Sequence, residues 1–73
     1  MKYILLKNFL PSDSFDGTSG EDVHGKYILF SPDVRGRITA ADFLQTPSGD
    51  TIQIQEEDSV LVDGNRFLKL YYK

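Results

Sequence analysis

The sequence predicts a mainly β domain, a small antiparallel sheet or partly open barrel of four to five strands with one short helical turn near residues 39–45. Two observations carry that expectation. Between Asp50 and Tyr72, the run Thr51-Ile52-Gln53-Ile54-Gln55 alternates polar and apolar side chains. Further on, Ser59-Val60-Leu61-Val62 and Phe67-Leu68-Lys69-Leu70-Tyr71-Tyr72 flank the turn residues Asp63-Gly64-Asn65. The apolar groups of this stretch also outnumber what one hairpin can cover, so the first half of the chain has to supply the layer that packs on them.

Length limits what the domain can do. With 73 residues it forms one domain, residues 1–73, of a size that buries about 60% of the surface exposed by its unfolded chain. That is the size of SH3-like or OB-like barrels. Such a core supplies only about 3–5 kcal/mol, and small domains are often reinforced by a disulfide, a metal or a partner. Cysteine is absent, which removes disulfides and thiolate metal sites and leaves a protein partner or a second copy as the expected reinforcement. Apolar residues make up 40% of the chain and nine of its residues are aromatic, the balance of a folded chain rather than a disordered one. No apolar run approaches the roughly 20 residues of a membrane span, and Met1 to Lys7 is broken too early for a secretory leader. A cytoplasmic protein without membrane association is the expectation.

From the N-terminus, Tyr3 to Leu10 reads as a strand with apolar groups on both faces, hence central, ended by Pro11. Pro11 to Gly25 is rich in Ser, Asp and Gly, with Phe15 and Val23 as its apolar anchors, and reads as a long mobile loop. Lys26-Tyr27-Ile28-Leu29-Phe30 is the next strand. It echoes Lys2-Tyr3-Ile4-Leu5-Leu6, but the flanks do not match, so shared β-propensity accounts for the likeness better than duplication. Ser31-Pro32-Asp33 offers a cap with proline in a first turn, and Gly36 closes it. Thr39-Ala40-Ala41-Asp42 reads as a capping box opening a one- or two-turn helix; the competing reading is a strand from Arg37 to Leu44. At the last hairpin, Asp63-Gly64 suits a two-residue type I′ turn, whereas a three-residue loop would align Val60, Val62, Leu68, Leu70 and Tyr72 on one face.

Signals for catalysis or metal binding are weak. Gly20-Glu21-Asp22-Val23-His24-Gly25-Lys26 has the spacing of a phosphate-binding loop, but Tyr27 follows the lysine, a strand is expected where a helix is needed, and two acids would repel phosphate. Asp13, Asp16, Glu21 and Asp22 are acids in a loop, yet aligning Gly17 with the turn glycine of a calcium loop puts Val23 where a bidentate glutamate belongs. His24 has no second histidine to share a metal, and no nucleophile motif frames any serine. No enzyme activity and no cofactor are expected.

A surface remains. Four tyrosines, Tyr3, Tyr27, Tyr71 and Tyr72, exceed what a small core satisfies, and tyrosine favours interfaces where one end of the ring is buried and the other wet. Residues 38–65 carry six acids and no base within a net charge of −3. Glu56-Glu57-Asp58, expected as a solvated turn between two strands, would steer a basic surface toward the protein. Glu56, Glu57, Asp58, Tyr71 and Tyr72 are therefore the expected partner-binding residues. The leading expectation is a non-enzymatic protein-binding module acting as an inhibitor, regulator or accessory subunit, with a nucleic-acid-handling protein as one target of its acidic face. A self-associating homo-oligomeric assembly component of viral or phage type is the second expectation. A single-strand nucleic-acid binder is the third; Arg35, Arg37 and Arg66 favour it and the acidic balance argues against it.

Overall fold

Asn8 and Phe9 both take left-handed backbone angles (φ 53° and 62°), and this two-residue turn folds the first strand, β1 (Lys2–Lys7), back against β2 (Leu10–Asp22). The computed structural model describes residues 1–72. Among them β3 (Gly25–Phe30), β4 (Phe43–Gln45), β5 (Thr51–Val62) and β6 (Asn65–Tyr72) complete an antiparallel ring in the order β1-β2-β3-β6-β5-β4. The barrel thus has six strands and is closed, where four to five strands and a partly open barrel were expected. No helix among the described residues is long and apolar enough to cross a membrane.

Two long strands close the ring. β2 pairs with β1 through Asp16 and with β3 from Gly17 onward; β5 pairs with β4 at Thr51 to Gln53 and with β6 from Ile54 onward. Each therefore serves both halves of the barrel. The expected loop from Pro11 to Gly25 is for the most part β2, and its small polar residues are the exposed face of a strand. Phe15 and Gly17 face inward, and at Gly17 an added Cβ would lie 2.7 Å from Ile28 and 2.8 Å from Phe30. Glycine allows the close approach here. Pro11 does not end the first strand; the Asn8-Phe9 turn does, closed by the pairing of Lys7 with Leu10 on either side of it.

One face of each strand supplies the core. Tyr3 and Leu5 are buried in β1, Ile28 and Phe30 in β3, Ile52 and Ile54 in β5, and Leu68 and Leu70 in β6, joined by Phe15, Val34, Ile38 and Leu44. β1 has a neighbour on each side, as every strand of a closed ring does, and the burial expected on both its faces is not found: Ile4 and Leu6 are half-buried on its outer face. Ser31 caps the 3-10 turn Pro32–Val34, its hydroxyl accepting from the Asp33 amide, and the turn delivers Val34 to the core.

The expected helix near 39–45 does not form. The Asp42 carboxylate does accept from the Thr39 amide at 2.9 Å, as in a capping box. Ala41, however, has φ 76°, and its amide donates to the Ile54 carbonyl while the Ile54 amide donates to that of Asp42. Bonding to β5 outweighs local helix propensity, and residues 43–45 become β4. The last hairpin takes the two-residue turn: Asp63 and Gly64 have φ 51° and 79°, and Val62 pairs with Asn65.

Candidate functional site

Glu56, Glu57 and Asp58 do not form a turn between two strands. They lie within β5, exposed, just after a bulge at Gln55. The bulge lets an irregular sequence stay in one strand, because the extra residue absorbs the break in alternation. Across the ladder Glu56 faces Tyr71, Glu57 faces Leu70 and Asp58 faces Lys69. Side chains alternate along a strand, so Glu56 and Asp58 share the outer face with Tyr71 and Lys69. Glu57 lies on the face of Leu70.

The two tyrosines likewise part. Tyr72 is half-buried and packs against the core. Tyr71 belongs to an outer cluster that sequence reasoning did not assemble. Its hydroxyl donates to Asp22 Oδ2 at 2.8 Å, and Lys69 Nζ donates to the same oxygen at 2.6 Å. That ammonium also lies 4.3 Å from the centre of the Tyr27 ring and 5.1 Å from that of Tyr71, within cation–π range of both. Asp22 Oδ1 accepts from the His24 amide, and the His24 ring meets Tyr71 edge-on.

This network moves both titrations. The Lys69 hydrogen bond, with help from Tyr71 and the His24 amide, outweighs desolvation and holds the Asp22 carboxyl far below the usual carboxylate range. The bonds to Asp22 and Tyr71 push Lys69 above its ordinary value. The outward phase of Phe67, Lys69 and Tyr71 is visible as alternation in the sequence. That Asp22 and Tyr27 lie beside them is not, because the contact spans 47 residues between Asp22 and Lys69.

Beside the cluster the barrel surface opens into a cleft of about 460 Å³ whose walls include Glu21, His24, Lys26, Glu56, Tyr71 and Tyr72. A second cleft of about 410 Å³ lies on the other side of Tyr72 and shares Lys26 with the first. Three expected partner-binding groups, Glu56, Tyr71 and Tyr72, thus line one cavity. Glu57 and Asp58 instead border a smaller groove of about 190 Å³ with Arg35, Ser59 and Leu68. Carboxylates beside tyrosine rings suit a cationic side chain, which gains both charge attraction and contact with a π face.

Three of the four acids considered for a cation, all but Glu21, are engaged in ion pairs. Asp13 pairs with Arg37, Asp16 with Lys2 at 3.5 Å and Asp22 with Lys69. Among the described residues no three His, Cys, Asp or Glu side chains are grouped to hold a metal ion. Gly20 to Lys26 is the end of β2, a hairpin turn and the start of β3, so the phosphate-loop spacing has no helix behind it. No family model matches the chain, and no match is found among curated proteins or solved structures.

Proposed function

We propose that this protein is a small non-enzymatic module that binds a protein partner with a basic surface, acting as an inhibitor, regulator or accessory subunit. The observation that carries this reading is the cleft at Tyr71 and Tyr72. There Glu21 and Glu56, neither in an ion pair among the described residues, line one cleft with the two tyrosines, Glu56 directly across the ladder from Tyr71. Lys69, whose ammonium lies 5.1 Å from the centre of the Tyr71 ring, is committed to Asp22 at 2.6 Å, so it leaves Glu56 to meet a charge from outside. Lys26 on the rim offsets one acid and narrows selection toward a partner that presents several bases.

An arginine-containing peptide, titrated into isotopically labelled protein at low and high salt, tests this reading. Resonances of Glu56, Tyr71, Tyr72 and His24 should shift together, and Glu56→Lys should weaken binding without unfolding an exposed position. Shifts scattered over the surface, or binding indifferent to Glu56→Lys, would defeat it.

A further inference from the structure

Beyond the bulge, β5 is bonded on one side only among the described residues. Its opposite edge is covered by β4 at Thr51 to Gln53 and by Ala41 and Asp42 at Ile54. From Glu56 to Val62 every strand pairing runs to β6. The two-residue turn makes Val62 and Asn65 a hydrogen-bonded pair, and alternation then turns the backbone groups of Leu61, Ser59 and Glu57 away from β6. The Ser59 amide agrees with that phase: it donates to the carboxylate of its own neighbour, Asp58, at 2.8 Å. All residues of this edge except Val60 are exposed, and Leu61 retains 65% of its accessible surface. The edge runs for about 20 Å at roughly 3.3 Å per residue.

Charge selects what could pair there. A second copy laid antiparallel over the whole edge would centre on Ser59 and set Glu57 opposite Leu61, adding three more acids to a ladder in which neither copy offers a base to meet them. Self-pairing thus leaves the acids without partners, whereas a strand that carries lysine or arginine meets them. The groove of about 190 Å³ beside Glu57, Asp58 and Ser59 gives room for side chains of such a strand. Arg35 also lines the groove, one base against its two acids.

We propose that the β5 edge from Glu56 to Val62 accepts an extended, basic segment of the partner as an added strand. The inference rests on the reading of the protein as a module for a basic partner and adds the mode of engagement: main-chain hydrogen bonds supply affinity and the acids supply selection.

The test uses a peptide of alternating lysine and threonine, and the same peptide N-methylated at alternate backbone nitrogens, which keeps the charge but blocks strand pairing. The unmethylated peptide should slow hydrogen exchange at Glu57, Ser59 and Leu61, and methylation should weaken binding by about tenfold or more. Ser59→Pro, which removes an amide outside the β5–β6 ladder, should weaken the unmethylated peptide similarly. Equal binding of both peptides, with shifts at Glu56 and Tyr72, would overturn the edge and leave the cleft reading standing. Binding of neither would overturn both. Dimerisation of the protein alone, abolished by Ser59→Pro, would assign the edge to a second copy and overturn the basic occupant.

Discussion

Asp22 shows how one side chain can tie three parts of a small barrel together. Its carboxylate ends β2, caps the turn at His24 and accepts from Lys69 and Tyr71 of β6. Its folded-state titration is depressed, so above about pH 4 both folded and unfolded chains are ionised and its contribution is fully present. As pH falls through the unfolded value, the unfolded chain takes up the proton first and the contribution is lost. Lys69 is raised, so its own contribution persists up to the ordinary lysine range near pH 10.4 and is lost above it. Asp22→Asn should therefore lower the melting temperature at neutral pH, with a deficit that shrinks between about pH 4 and pH 2. Thermal melts across that range check it; a constant deficit would mean that the ionic network is not its source. Gly17 makes a second residue-scale case. Gly17→Ala would press a methyl into Ile28 and Phe30 and should cost about 1–3 kcal/mol in urea denaturation. Gly20→Ala meets the outer end of the Tyr27 ring, 2.5 Å away. That ring is free to swing outward, so it should cost less and instead disturb the contact with Lys69.

At the scale of elements, β6 joins β3 to β5 by pairing with both. Leu68 and Leu70 alternate with outer-face residues, and both are buried. Leu68→Ala should cost about 2–5 kcal/mol, most of the stability of a domain this small, and leave the variant largely unfolded at ambient temperature. A chemical melt close to that of the parent protein would show the core relaxing around the lost volume. β2 offers the reverse lesson. Its polar sequence has the look of a flexible loop, yet its second half is a ladder to β3, anchored where the Gly17 amide donates to the Met1 carbonyl at 2.8 Å. Amides of β2 engaged in that ladder should exchange as slowly as those of β3. Fast exchange throughout β2 would separate it from the cooperative unit.

For the whole molecule, the sheet leaves Glu56, Glu57 and Asp58 exposed along one strand while Asp13, Asp16, Asp22 and Asp42 are in ion pairs. Among the described residues the acids without an ion pair thus include Glu21 and Glu56 at the cleft and Glu57 and Asp58 on the open edge. On the proposed function, Glu56→Lys/Glu57→Lys should slow association with a basic partner more than it speeds dissociation. The effect should fade as added salt shortens the screening length from about 8 Å at physiological strength. Tyr72→Phe keeps the ring against the core and should leave the on-rate unchanged. On- and off-rates measured at two ionic strengths check both; a purely off-rate effect of the charge reversal would mean that the acids do not steer encounter.

The amino-acid sequence by itself determined the β class, the place of the last hairpin though not its register, the capped turn at Ser31-Pro32 and the candidacy of Glu56, Glu57, Asp58, Tyr71 and Tyr72, because these rest on local propensity and composition. It could not determine which face a strand buries. Lys2-Tyr3-Ile4-Leu5 and Lys26-Tyr27-Ile28-Leu29 are the same four residues, yet Tyr3 and Leu5 are buried in β1 whereas Ile28 is buried in β3 with Tyr27 and Leu29 turned outward. A strand has a period of two and so two phases, and both are acceptable to this tetrapeptide. Tyr3 goes inward because Phe15 lies across from it and the Phe30 ring meets it edge-on at 5.7 Å. Tyr27 goes outward because Gly20 opposite gives its ring a seat beside Tyr71 and Lys69. Tertiary structure decided the phase, and with it the outer cluster, because the groups that choose between the two phases are brought to each tetrapeptide only by strand pairing.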